Sequence, residues 1–456
     1  MPIDRRALFS SGLLTVGFAA SAMAAGPKPK KAPPTPSGTG PSGPSLLQAD
    51  NVRDQTVALQ AALSAAARTG APLLLPAGTF LSGRLELPAG LRMVGSGPRT
   101  VLQFSGAGGA FLTARNADDI SLEDLSIDGA GLAIKASEAT GLLDARDCGR
   151  LSISGVEVRR GLVNAISLVR CSGRVSETRV SNVSQTGIFS LDAAGLEISH
   201  CQVLDCGNNG IQVWRETVGD DGTLVTSNRI ERIAAKGGGS GEYGNGVNVF
   251  RAGGVLVSGN RITDCAYSAV RGNAASDIQM VGNSCARLGE VALYAEFAFE
   301  GALIANNLVD GAASGIAVTN FNEGGRLAVI QGNLIRNLRR REQEPVDKRG
   351  EGISVEADAV VSGNVIEKAP SFGIVAGWGK HLRNVVVTGN LIRDAGVGIA
   401  VSASQGAGSC LISQNMISGA MRGAIQSMDH DRVVDADLIA LGSKNPRLAV
   451  SGNVVT

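Results

Sequence analysis

Residues 246–283 read GVNVFRAGGVLVSGNRITDCAYSAVRGNAASDIQMVGN, and two phrases in this stretch recur along the chain. The first is Ser-x-Asn-x-Ile or a near variant, centred on Asn228, Asn260, Asn283, Asn307, Asn333, Asn364, Asn390, Asn415 and Asn453. Successive asparagines are 32, 23, 24, 26, 31, 26, 25 and 38 residues apart. The second is Gly-[Ile/Val]-x-[Val/Leu], beginning at Gly187, Gly210, Gly246, Gly315, Gly352, Gly373 and Gly398, with degenerate copies at Val270, Leu293 and Ile425. Looser copies without the asparagine run upstream through Ile153, Val175 and Ile198. A repeat of about 20–30 residues built from short alternating segments cannot bury its own apolar side, and stacked copies form one continuous core. The helical period of 3.6 and a fixed leucine frame are both absent. The pattern predicts an all-β solenoid, a right-handed single-stranded parallel β-helix. Asparagine tolerates left-handed backbone, so each recurrent Asn is expected at a tight turn, stacked on its neighbours as an amide ladder.

A solenoid needs its ends covered. RDQTVALQAALSAAART (53–69), rich in Ala and Leu, predicts an N-terminal capping α-helix. The expected organisation is a leader at 1–24, a Pro/Gly/Lys-rich disordered linker at 25–47, the cap helix and first coils at 48–100, and β-helix repeats at 101–456. In the leader, Arg5-Arg6 precedes an apolar stretch from Ala7 to Ala22, and Ala22-Met23-Ala24 is a small-x-small cleavage signal. This predicts twin-arginine export to the periplasm or beyond, with the translocase as a transient partner and no membrane span after cleavage.

The chain has 456 residues, of which 42 are basic and 41 acidic. Cleavage after Ala24 would take two basic residues and one acidic residue with it, leaving formal neutrality. That balance argues against nucleic acid or an anionic membrane as an obligate partner. Glycine, at 61 residues, is about twice its usual ~7% share, as closely spaced turns require. Seven cysteines cannot all pair, and a twin-arginine substrate folds in a reducing compartment, so buried packing thiols are expected. His200, His381 and His430 stand far apart in sequence and show no zinc spacing. No cofactor is expected, because Ca²⁺ would require an acidic cluster that the sequence does not display.

The cap segment, with Thr56, Leu59 and Gln60, and the following Leu75-Pro76-Ala77-Gly78 resemble the start of pectin-lyase-like β-helix proteins. Over nearly the whole chain, the leader, the asparagine repeats and the phrases GEYGNGVNVF, SAVRGNAAS, EVALYAEFAFEGA, TNFNEGGRLAV and SMDHD resemble a bacterial family of twin-arginine-translocated parallel β-helix repeat proteins. That resemblance implies fold and export. It carries no assigned activity and no catalytic residue. Asp220-Asp221 is similar to the adjacent aspartates of polygalacturonase-like enzymes, but no Asn-Thr-Asp, Gly-His-Gly or Arg-Ile-Lys accompanies it.

Spacing locates the candidate site. From most asparagines the next Gly-Ile phrase is eight or nine residues away. After Asn228 it is 18 away, and after Asn333 it is 19. Two coils therefore carry insertions at one corner, expected to stand as walls around the coils between them. In Gly-Ile-x-Val the x position and the residue after Val point outward. The x column reads Gln212, Asn248, Arg271, Tyr294, Ala317, Ser354, Val375, Ala400. The second reads Trp214, Phe250, Asn273, Glu296, Thr319, Glu356, Gly377, Ser402. Rings for sugar faces and polar groups for hydroxyls suit a polysaccharide. Glu296 is expected as general acid or base, Arg271 to hold an anionic group, and Tyr294 to orient or stack the sugar. Asn248, Phe250, Asn273, Glu356, Tyr243 and Trp214 would bind substrate. Glu296 and Glu356, two coil steps or roughly 10 Å apart, lie just outside the ~6.5–9.5 Å of an inverting carboxyl pair. Arg271 and Glu296 could equally pair as a surface ion pair, Trp378 and His381 could be a loop contact, and Asp429-His430-Asp431 reads as a solvated turn. The sequence thus predicts an exported protein that binds a polysaccharide, one more often acidic than neutral, with cleavage by lyase or glycoside hydrolase chemistry left open. The alternative is a non-catalytic envelope scaffold or glycan-binding repeat protein.

Overall fold

The computed structural model describes residues 47–239, 241–341, 350–440 and 442–456. The leader, the linker as far as residue 46 and residues 342–349 of the second insertion lie outside the described residues.

One helix, Thr56–Thr69, opens the fold. Asp54 accepts from the Thr56 N–H at 2.9 Å just ahead of it, and Gly70 ends it in left-handed conformation (φ 69°). Leu59, Leu63 and Ala66 recur on one side and are buried against the first coils. Each such leucine withdrawn from water contributes about 1.5–3 kcal/mol, and so the helix plugs the end of the core. Among the described residues no helix is long and apolar enough to cross a membrane.

The rest is a right-handed parallel β-helix. Strands at equivalent positions of successive turns pair in parallel, giving a 15-stranded sheet on one side and a 28-stranded sheet that wraps the others. The exception is near the C-terminus, where Ile425–Asp429 folds back on Arg432–Asp435 as an antiparallel hairpin. The Ile and Val of the Gly-Ile-x-Val phrase point inward. Ile211, Val213, Val247, Val249, Ile316, Ile353 and Ile399 are fully buried and join one continuous core. All seven cysteines are free and buried in the solenoid.

The asparagines form the expected ladder. In the middle of it, the Asn307 backbone N–H and its Nδ2 both donate to Asn333 Oδ1 at 2.9 Å, and Nδ2 also donates to the Met280 carbonyl at 2.8 Å. The same bonds link Asn228 to Asn260 at one end and Asn415 to Asn453 at the other. One expectation is corrected. The left-handed residue is the one before the asparagine: Ser227, Gly259, Gly282, Asn306, Gly332, Gly363, Gly389, Gln414 and Gly452 all have φ between 56° and 67°. The asparagine itself must turn its side chain inward to reach the next rung, and the preceding residue takes the reversal. This explains the glycine in the Ser-Gly-Asn phrase.

Candidate functional site

The Gly-Ile-x-Val strands stack in the register that spacing predicted. Gln212 pairs with Asn248, Asn248 with Arg271, Arg271 with Tyr294, Tyr294 with Ala317 and Ala317 with Ser354. In the next column Trp214 pairs with Phe250, Phe250 with Asn273 and Asn273 with Glu296. Candidates spread over more than 80 residues therefore meet on one face.

That face is not the open strip expected. Gln212, Asn248, Arg271, Tyr294 and Glu296 are all buried. The first insertion does not stand up as a wall; it folds down over the column. Two asparagines hold it there. Asn209 Nδ2 donates to the Glu242 carbonyl at 2.9 Å and Asn245 Nδ2 to the Gly241 carbonyl at 2.9 Å, while the Asn245 N–H donates to Asn209 Oδ1 at 2.9 Å. Tyr267 adds a bond from its hydroxyl to the Gly239 carbonyl at 3.1 Å. Gly241 then lies directly on Arg271, where a β-carbon would stand 1.5 Å from Nη1. Glycine suits this contact, at a φ of 140° that side chains rarely adopt.

Beneath the loop is a buried ionic cluster. Arg271 Nε donates to Glu296 Oε1 at 2.6 Å, and Nη1 donates to Glu290 Oε2 at 3.3 Å. Asn273 Nδ2 donates to the same Glu296 oxygen at 3.1 Å. The guanidinium also lies 5.1 Å from the Tyr294 ring centroid. The expectation of a surface ion pair is thus corrected to a buried one, because the insertion excludes water from it. Burial raises the Tyr294 phenol pKa, with the Glu296 charge adding to the rise, so the phenol stays protonated.

The candidate residues divide between two neighbouring cavities. Trp214, Asn248, Phe250, Arg271, Asn273 and Glu296 line one of about 220 Å³, together with Glu242 and Phe297. Its aromatic edge is ordered. Phe189, Trp214 and Phe250 follow one another edge to face at 6.1 and 5.6 Å, and Trp214 Nε1 donates to Asn248 Oδ1 at 2.7 Å. Tyr294 and Glu356 line the other cavity, about 160 Å³, with Thr319, Glu351, Ser354 and Trp378. Glu296 and Glu356, already just outside the spacing of a catalytic pair by counting, line separate cavities. Tyr243 lines neither cavity; its ring packs on Gly237 beside Asn208, within its own insertion.

Glu356 is half-buried, and its Oε2 accepts from the Phe321 N–H at 2.7 Å. Burial raises its pKa above the ordinary carboxyl value of 4.5, outweighing the opposing Phe321 and Asn320 N–H groups.

Sequence reasoning passed over Glu290, which lies just outside the Gly-Ile-x-Val frame, and Glu351, which opens its own strand. Trp378 and His381 form the loop contact that the sequence offered, exchanging backbone hydrogen bonds at 3.2 and 3.0 Å. The structure places Trp378 at the junction of two cavities, with the His430 ring edge-on at 5.6 Å. In the Asp429-His430-Asp431 turn His430 and Asp431 are exposed, whereas Asp429 is half-buried and accepts from Arg432 Nη2 at 2.9 Å, and the hairpin folds back toward the same face. Asp221 serves its own turn, accepting from the Thr223 N–H at 3.2 Å and from its hydroxyl.

Residues 216–385 match the family model described as a right handed beta helix region. No curated protein sequence matches the chain. Among solved structures, a PL6 alginate lyase in complex with a trisaccharide aligns over 90% of this chain and 97% of its own, at 13% identity and a TM-score of 0.50. The catalytic unit of the thermostable GH87 α-1,3-glucanase from Streptomyces thermodiastaticus strain HF3-3 aligns over 89% of this chain, at 16% identity and a TM-score of 0.49. This chain spans 66% of that glucanase unit's length. The mannuronan C-5 epimerase AlgE6 A-module of Azotobacter vinelandii aligns over 89% of this chain and 96% of its own, at 15% identity and a TM-score of 0.40. At these identities the likeness is one of fold.

Proposed function

We propose that this chain binds a polysaccharide lengthwise along the loop-bearing face and cleaves it at the cavity between Tyr294 and Trp378, with Glu356 as general acid. One observation carries the proposal. A half-buried carboxyl whose pKa is raised by burial lines a cavity together with two aromatic residues, Tyr294 and Trp378, and a second carboxyl, Glu351. A carboxyl that holds its proton to higher pH than an ordinary glutamate is better placed to give it to a leaving glycosidic oxygen. The Phe189–Trp214–Phe250 edge supplies rings for sugar faces farther along the groove. Arg271 and Glu296, assigned to catalysis on sequence grounds, act here as the support that holds Tyr294 and the covering loop. An alginate lyase built on the same fold is chemically coherent with this reading. Export through the twin-arginine leader to the periplasm or the medium belongs to the same proposal, and cell fractionation tests it.

Incubation with a panel of polysaccharides, following reducing ends and 4,5-unsaturated uronates, separates hydrolase from lyase. Glu356→Gln is expected to abolish product release while glycan binding persists. The unsubstituted chain should lose activity as pH rises through the raised Glu356 pKa, because the proton-bearing form is the active one. Full turnover by Glu356→Gln sinks the assignment. A glycan-binding module without turnover is the second reading. It is favoured by Arg271 being already bonded to two glutamates rather than presented to a substrate.

A further inference from the structure

Where the loop-bearing face meets the C-terminal hairpin lies a third cavity, of about 410 Å³. Phe372, Val397 and Met428 pack together as its apolar floor, and Trp378 forms a side shared with the Glu356 cavity. Two guanidiniums meet at the rim. Arg340 Nη2 donates to the Pro370 carbonyl at 2.9 Å, and Arg422 Nη2 donates to the carbonyl of the next residue, Ser371, at 2.7 Å. Arg422 also lies over the Phe372 ring, 5.6 Å from its centroid. Gly396 gives it room: a β-carbon there would stand 2.5 Å from Arg422 Nη2 and from both carbonyls. Among the described residues neither arginine is ion-paired with a carboxylate, and Asp431, exposed, is the one acidic residue in the lining. Both arginines are exposed, and their like charges are held on the carbonyls of two adjacent residues, Pro370 and Ser371. Burial and the Arg340 charge lower the Arg422 pKa, an electrostatic cost that an anion between the two would relieve.

We infer that this cavity takes an acidic sugar: a uronate unit lays its ring against Trp378 above the apolar floor and sets its carboxylate between Arg340 and Arg422. Planar guanidiniums match a carboxylate oxygen for oxygen, which a neutral sugar cannot repay. The inference rests on the reading of this face as a glycan groove and names its substrate class. It also moves anion recognition away from Arg271, whose guanidinium two glutamates already engage.

The test is calorimetric titration of the full chain carrying Glu356→Gln, so that nothing is cleaved. The probes are trimers of galacturonate, mannuronate, guluronate and glucuronate, each compared with its methyl ester. At least one acid should bind about tenfold or more tighter than its ester, and the advantage should vanish in Arg340→Gln/Arg422→Gln. The acid–ester comparison needs no change at either arginine, so it reads even where that double variant folds poorly. Equal binding of acid and ester, or a preference for the acid that survives the double substitution, overturns the inference while leaving a neutral-glycan groove standing. Binding of no probe, together with no turnover of any polysaccharide by the unsubstituted chain, would instead remove the groove itself.

Discussion

The Glu296 carboxylate is 1% exposed, and two donors converge on one of its oxygens. Its removal would leave Arg271 buried with one carboxylate fewer. Breaking a buried pair from one side costs about 3–5 kcal/mol. Because Glu290 still engages the guanidinium, Glu296→Ala is expected near the lower figure, measured by urea unfolding. An unchanged midpoint would show that the loop does not seal the cluster. Sequence spacing placed Glu296 beside Arg271 correctly, because a residue's rung follows from counting. It could not show what covers them. That depends on Asn209 and Asn245 binding the insertion, and nothing in the sequence sets those two asparagines apart from their many neighbours. For the same reason Glu290 and the Arg340–Arg422 pair were not legible: they lie outside the repeated frame, and only the folded chain brings them to this face.

At the scale of the repeating element, the asparagine ladder is a chain of buried amides, each serving the rung on either side. Asn307→Ala would leave the Asn283 N–H and Nδ2 without their acceptor and would break the bonds to Met280 and Asn333. Leaving buried groups unsatisfied costs about 1–3 kcal/mol each. Asn453 accepts the same two bonds from Asn415, but it ends the column, passes no bond on to a further rung and is only half-buried, so water can reach the groups it leaves. Asn307→Ala should therefore lower stability by about 3 kcal/mol and Asn453→Ala by about 1 kcal/mol, read from denaturant midpoints. Equal losses would mean that the column does not act as a chain. The repeat was legible because inward Ile and Val and the recurring asparagine must each fall at a fixed place in a turn. The left-handed residue was misplaced by one position because asparagine's turn preference suggested a role that its side-chain bonding overrides.

Over the whole molecule, acid should loosen the coils nearest the helix. Asp128 and Asp144 are buried there. For Asp128, burial raises the pKa, but bonds from Arg160 and Arg159 and from the Ala130 N–H more than offset it, and the pKa is lowered. For Asp144, burial is likewise overcome, by Arg146, the Thr140 N–H and the Arg115 charge. A lowered folded pKa means that the unfolded chain binds protons more readily. Stability from these two groups is thus present above the ordinary value of about 3.8 and is lost as pH falls below it, toward the folded pKa values. The melting temperature should fall steeply over that window, and Asp128→Asn/Asp144→Asn should flatten the fall; an unchanged slope would assign the acid sensitivity elsewhere.

The amide column also makes the length of this molecule editable. Every inner asparagine offers its neighbours the same hand-holds, so deleting the 26 residues that separate Asn364 from Asn390 would let Asn333 clasp the next copy in the same way. Such a chain can lengthen its groove by duplicating a whole turn, whereas shedding this particular turn would take Phe372 and Trp378 with it.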